Sequence, residues 1–152
     1  MLPRYHILLG FILSISLFLI FPSINLIGAG IIFLFSFLID VDHYIYYIFK
    51  KKDVSLKNAI NYFLIKRKKL EKMDIKKRKS FYSGFCFLHG IEILIVLFMA
   101  GIFLSRYFLL IFMGFTFHIY LDLIEEIHKG LRLDKISIIY DLIKFKKLKF
   151  LK

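Results

Sequence analysis

The chain has 152 residues, 59% of them hydrophobic, and a mean hydropathy of +0.72. A soluble domain of this size is closer to half apolar, so an ordinary water-soluble enzyme or binding module is excluded. The formal charge is nonetheless +12, so charge must be segregated from the apolar runs, and the single cysteine excludes an internal disulfide.

The chain opens on a short polar head, Pro3-Arg4-Tyr5-His6, before apolar sequence from Ile7 to Phe21. This resembles a signal-peptide core, but no small-residue cleavage site follows. Instead Pro22-Ser23-Ile24-Asn25 makes a turn into a second apolar run, Leu26 to Ile39. Two spanning helices are predicted, over 5–21 and 24–43, each near the lower end of the ~17–25 residues that cross a bilayer. Gly28 and Gly30 are expected where helices approach closely. The second run ends in Phe37-Leu38-Ile39-Asp40-Val41-Asp42-His43, two carboxylates and an imidazole at the end of a membrane-length segment. Ionisable groups there are costly and point to function.

Residues 50–79 hold thirteen basic residues against Asp53, Glu71 and Asp74. Leu56, Ile60, Phe63, Leu64 and Leu70 recur at helical spacing, which predicts a basic amphipathic helix on the membrane surface. Anionic lipid headgroups are the expected partner, and nucleic acid ranks well below them. Third and fourth spans are predicted over 81–104 and 107–127. Cys86 lies in the third apolar run and reads as a small packing residue; with one thiol, a cysteine-based zinc site is excluded. The tail, 129–152, carries eight basic residues against Asp134 and Asp141, with Ile136, Ile139, Leu142 and Ile143 suiting another interfacial helix.

The prediction is an all-α integral membrane protein: a four-helix antiparallel transmembrane domain over 1–128 with the basic loop 50–79, then the amphipathic tail. Only Arg4 and Arg106 lie outside the two basic segments. The positive-inside rule then places the loop, the tail and both termini in the cytoplasm, in a multi-pass plasma-membrane protein.

That topology brings His6, Asp40, Asp42, His43, His89, Glu92, His118 and Asp122 toward the cytoplasmic ends of the four helices. Asp40 and His43 are i,i+3, His89 and Glu92 i,i+3, and His118 and Asp122 i,i+4, so each pair shares a helix face. Such pairs recur in helical bundles that hold metals. No Lys or Arg within the predicted spans neutralises the acids. Zn²⁺, Mn²⁺ and Fe²⁺ all suit such donors. Asp42 lies two residues after Asp40 and points nearly the opposite way on a continuous helix. Either the helix ends there, or Asp42 orients an imidazole. His128, beside Glu125 and Glu126, reads as a solvated helix end, and Tyr44, Tyr46 and Tyr47 as an interfacial belt.

Three strings carry a resemblance: Leu38-Ile39-Asp40-Val41-Asp42-His43, the early His6 ahead of an apolar helix, and Gly114-Phe115-Thr116-Phe117-His118-Ile119-Tyr120-Leu121-Asp122. Their order and spacing resemble the YdjM-like family of predicted membrane-bound metal-dependent hydrolases, over about residues 5–126. The family often has two histidines in its central motif. This chain has Leu88-His89-Gly90-Ile91-Glu92, where His89 aligns with the second and Glu92 replaces or supports the missing one. The resemblance implies a divalent metal held by His6, Asp40, His43, His89, His118 and Asp122, with Asp42 or Glu92 as base or orienting group. It implies hydrolysis of a phosphoester or ester, expected at a lipid headgroup on the cytoplasmic face. A non-catalytic divalent-metal protein, a degenerate protein of the same fold and a haem-binding bundle are the alternatives. Carboxylates beside the histidines argue against haem.

Overall fold

The computed structural model of the chain describes residues 3–78, 81–82, 86–130, 136–145 and 149–150. In chain order the elements are α1 (Pro3–Ile20), α2 (Leu26–Leu38), α3 (Val41–Lys51), α4 (Leu56–Glu71), α5 (Ile75–Arg78) and β1 (Phe81–Tyr82), followed by α6 (Ile91–Phe103), α7 (Arg106–His128), α8 (Ile138–Phe145) and β2 (Lys149–Phe150). The chain divides into two compact units: Met1–Asp40 with Ile91–Glu125, and Val41–Gly90 with Glu126–Lys152.

Three helical stretches are long and apolar enough to cross a membrane: Pro3–Ile20, Leu26–Lys51 and Arg106–His128. In the first unit, large apolar side chains such as Leu19, Leu26, Phe103 and Leu104 face outward, each about three-quarters exposed. In water such a surface would be a liability, and lipid accepts it. The helix predicted over 81–104 is corrected: among the described residues it forms only over Ile91–Phe103, 13 residues. At 1.5 Å per residue that is about 20 Å, short of a hydrocarbon core of ~30 Å. The reason is tertiary. The Leu88 N–H is donated to the Asp42 carboxylate at 3.0 Å instead of a helical carbonyl, and Gly90 follows before α6 begins. Residues 83–85 of that predicted span lie outside the described residues.

Within the first unit, α1 and α2 form a hairpin joined by the 21–25 turn. The Asn25 side chain caps α2 by accepting the Gly28 N–H at 2.9 Å. Small residues set the approach distances. A Cβ on Gly10 would overlap Ser36 Oγ at 1.8 Å, and one on Gly114 would stand 2.8 Å from the Ile32 carbonyl oxygen. The backbones of α1 and α7 therefore lie close against α2, as small residues permit inside membranes. Phe11 packs edge-on to Phe33, and Phe35 against Phe115. Gly28 meets Leu110 as the sequence predicts, whereas among the described residues Gly30 has nothing within 4 Å of a built Cβ, so close packing there does not explain it.

Within the second unit, α3 ends at Lys51 and is followed by Lys52, whose φ of 52° lies in the left-handed region. Asp53 then organises the entry to α4. Its carboxylate accepts from Tyr47 Oη (2.5 Å), the Ser55 N–H (2.9 Å) and Asn58 Nδ2 (2.9 Å). These bonds, that from Tyr47 foremost, hold the Asp53 carboxyl below the usual carboxylate range. Ser55 caps α4 through the Asn58 N–H. Arg78 donates to the carbonyls of Glu71, Met73 and Lys129, at 2.6–2.7 Å. Glu71 in turn accepts from Lys129 Nζ at 2.6 Å and Arg67 Nε at 3.2 Å. β1 and β2 make a two-residue parallel pairing, Phe81 with Lys149 and Tyr82 with Phe150.

Lys66 on α4 is buried, its ammonium 4.7 Å from the centroid of the Tyr62 ring. Burial, and then Lys50, Lys51 and Lys69, push its pKa down to about 7 from an ordinary 10.5. Below pH 7 the folded and unfolded chains both carry this charge. Between pH 7 and about 10 the unfolded chain holds a proton that the folded one has released, so stability rises with pH across that window. Lys66→Met is expected to flatten the rise, read as the melting temperature of detergent-solubilised protein against pH. A wild-type profile already flat from pH 7 to 10 would refute it.

Candidate metal centre

In the first unit, α7 presents His118 and Asp122 one turn apart on one face, and α1 brings His6 to them. The two imidazoles stack, with ring centroids 3.8 Å apart and planes at 12°. His6 Nε2 lies 3.2 Å from Asp122 Oδ1. His6, His118 and Asp122 are all buried.

The end of α2 explains how His118 is set. At the Ile39–Asp40 turn the Asp40 N–H bonds to the Phe37 carbonyl at 3.2 Å. In a continuous helix that N–H would go to Ser36 O. The Ser36 carbonyl instead accepts from His118 Nδ1 at 2.8 Å. A carbonyl only accepts, so this bond assigns the Nδ1 proton and leaves Nε2 with its lone pair in the neutral ring. That Nε2 stands 3.6 Å from Asp40 Oδ1 and 3.8 Å from Asp122 Oδ2. These separations are too long for hydrogen bonds, and they set a lone pair against two carboxylate oxygens. The three atoms face one another as ligands of one metal ion would. Donors sharing one ion, with bonds of about 2.0–2.2 Å, stand roughly 3–3.5 Å apart. The observed spacing is close to that. His6 Nδ1 is also buried with no hydrogen-bond partner among the described residues. His6, His118 and Asp122 offer ligand atoms that all lie within 4.8 Å of one another and could hold a metal ion.

The second unit builds its own group. Asp42 and His43 come from the first turn of α3, and Cys86 and His89 from the segment ahead of α6. Asp42 Oδ2 accepts from His89 Nδ1 at 2.9 Å as well as from the Leu88 N–H. That fixes the His89 ring and leaves its Nε2 as the nitrogen for a metal, the arrangement by which carboxylates orient metal-bound imidazoles. Cys86 Sγ is 3.1 Å from His43 Nδ1 and 3.7 Å from His43 Nε2. His43 also meets His89, ring centroids 5.1 Å apart, and the edge of Phe63 on α4. Asp42, His43, Cys86 and His89 again offer ligand atoms within 4.8 Å of one another.

The sequence-predicted residues thus fall into two sets. His6, Asp40, His118 and Asp122 gather in the first unit, and Asp42, His43 and His89 in the second. Glu92, half-buried in the first turn of α6, belongs to neither three- or four-residue group among the described residues. His128 is exposed at the end of α7. The residue that sequence reasoning missed is Cys86. It is buried, but beside an imidazole rather than in apolar packing, and this corrects the exclusion of a thiol from the metal chemistry. The signal was present as Cys86-Phe87-Leu88-His89, a thiol and an imidazole three residues apart.

Compared with protein-family models, curated proteins and solved structures, the chain finds no match.

Proposed function

We propose that the chain is a multi-pass membrane protein that uses a divalent transition metal (Zn²⁺, Mn²⁺ or Fe²⁺) to hydrolyse a phosphoester or ester, with a lipid headgroup at the cytoplasmic face as the substrate class. The observation that carries the reading is the His118 geometry. An imidazole with its tautomer set by Ser36 turns Nε2 on the oxygens of Asp40 and Asp122, a donor set that suits a metal ion. The motif resemblance to the YdjM-like hydrolases supports the same reading. The concentration of Lys and Arg in 50–79 and 129–152 supports cytoplasmic placement of both segments and both termini, and an affinity for anionic headgroups.

The chain's own residues would divide the work. His6, His118 and Asp122, with Asp40, would hold an ion in the first unit. His43 and His89 would do so in the second, with Asp42 orienting His89. When bound, such an ion supplies a Lewis acid for the substrate oxygen and lowers the pKa of water toward ~7. Asp42, already accepting two hydrogen bonds on one oxygen, positions; Glu92, half-buried nearby in sequence, is the carboxylate left for a base. A second reading, a non-catalytic metal-binding or degenerate protein of this fold, is favoured by the near-complete burial of His6, His89, His118 and Asp42, which leaves a substrate little access.

The test is the metal content of detergent-purified protein, followed by turnover of a phosphomonoester and of phosphatidate vesicles. About one or two metal equivalents per chain, lost in a His43→Ala/His118→Ala double variant, with turnover that follows the metal, is the expected result. Metal without turnover selects the second reading. No metal after reconstitution overturns the hydrolase and the metal-binding readings and leaves a degenerate protein of this fold.

A further inference from the structure

We propose that Cys86 is a thiolate ligand, paired with His43, and that the metal it takes is of the thiophilic class typified by Zn²⁺ rather than Mn²⁺ or Mg²⁺. This rests on the reading above that the chain binds a transition metal, and adds a ligand and a selectivity to it.

Three observations carry it. Cys86 is buried at 3% exposure and its sulfur stands 3.1 Å from an imidazole nitrogen, so it is not a thiol in apolar packing. The sulfur is also 3.7 Å from the other nitrogen of the same ring. A thiol hydrogen-bonded in line with the Nδ1 lone pair would be much farther from Nε2 than that. Sγ therefore lies off both lone-pair axes, which is poor geometry for a nucleophile handing its proton to a base. Two ligands of one ion do not aim at each other, and tetrahedral bonds of about 2.3 Å to sulfur and 2.0–2.1 Å to nitrogen put them roughly 3.5 Å apart. Sγ at 3.1 Å from Nδ1 is near that spacing, and sharing an ion requires the His43 ring to turn its Nδ1 lone pair, which the 3.7 Å to Nε2 places off the sulfur, toward the ion. Finally, His89 and Asp42 stand within the same 4.8 Å group, and Asp42 fixes His89 from its Nδ1 side. The sulfur thus belongs to a four-member donor set, with one imidazole oriented in advance.

A thiolate in the donor set selects among metals. Soft sulfur favours zinc over the hard, oxygen-seeking Mg²⁺ and Mn²⁺. The chemical step is proton release: the Cys86 S–H bond breaks, the proton passes to solvent and the electron pair stays on sulfur to bind the ion.

Because Cys86 is the chain's only thiol, the wild type alone decides the assignment. The full chain in detergent is loaded with Co²⁺, a spectroscopic stand-in for Zn²⁺. Bound cobalt is counted after desalting, and the near-ultraviolet spectrum is read for a thiolate-to-cobalt charge-transfer band. The expected result is bound cobalt with that band, bleached by Zn²⁺ and not by Mn²⁺ or Mg²⁺. In the near-isosteric Cys86→Ser the band disappears and cobalt affinity falls by at least about tenfold. Bound cobalt with no band in the wild type overturns the thiolate assignment and leaves the metal reading standing. No bound cobalt overturns both. A band displaced equally by Mn²⁺ and Zn²⁺ overturns the selectivity.

Discussion

His118→Ala is expected to strip the protein of metal and to cost more stability than any other single change in the first unit. The side chain holds three relationships at once: Nδ1 to the Ser36 carbonyl at 2.8 Å, Nε2 facing the oxygens of Asp40 and Asp122, and its ring face on His6. Truncation removes the nitrogen that faces both carboxylates. Deleting one partner of a buried charged set typically costs about 3–5 kcal/mol, because the groups left behind keep their desolvation penalty. Altering a residue that only orients a ligand lowers metal affinity by about 10–100-fold, so removing a ligand itself should exceed the upper end of that range. The measurement is metal per chain after purification, together with the melting temperature in detergent with and without added metal. His118→Ala that keeps its metal would mean that the ion is held elsewhere.

Gly114→Ala is expected to damage the same site without touching any donor. A Cβ there would stand 2.8 Å from the Ile32 carbonyl oxygen and 3.0 Å from the Phe35 carbonyl carbon. Both are backbone atoms of α2, so no side chain can swing aside. α7 must retreat, and His118 follows, because it lies one turn further along the same face. Overpacking of this kind costs about 1–3 kcal/mol. The lengthened bond from His118 Nδ1 to Ser36 O should lower metal affinity by roughly tenfold, as when an orienting partner is weakened. Gly30→Ala is the control. Among the described residues nothing lies within 4 Å of its built Cβ, so that substitution should be neutral or stabilising by up to ~1 kcal/mol, since alanine is the better helix former. Equal effects at Gly30 and Gly114 would show that loss of glycine flexibility, and not the approach of α7 to α2, is responsible.

The first and last apolar runs were legible in the sequence to within a residue or two, because an unbroken stretch of Leu, Ile and Phe has one economical fate. α1 and α7 occupy 3–20 and 106–128 where 5–21 and 107–127 were predicted. The break at Ile39–Asp40 was legible only as a conflict of phase, Asp40 and Asp42 pointing opposite ways on one helix. The structure resolves it with a turn that also releases the Ser36 carbonyl. The failure at 86–90 has a tertiary cause. Apolar composition cannot show that Asp42, more than forty positions earlier, takes the Leu88 N–H and the His89 ring. Cys86 was misread for a related reason. A thiol among phenylalanines looks like packing until the fold sets it against His43. The carboxylate–imidazole pairs were the more readable part of the site, since i,i+4 spacing on α7 fixes His118 and Asp122 on one face whatever α1 does.

The brevity of α6 also bears on the lipid around the protein. A helix of about 20 Å, packed on α7 through Phe98 and Phe112, does not match an acyl layer of ~30 Å. Lipids answer such a mismatch by thinning locally, at a cost of fractions of a kcal/mol for each ångström. Where the layer thins, headgroups and water descend beside α6. Were α6 to cross with the three longer stretches, the chain would make its own depression in the bilayer, and a thinner host membrane would reduce the work of forming it. Membrane thickness would then be a variable that favours some bilayers over others for this fold.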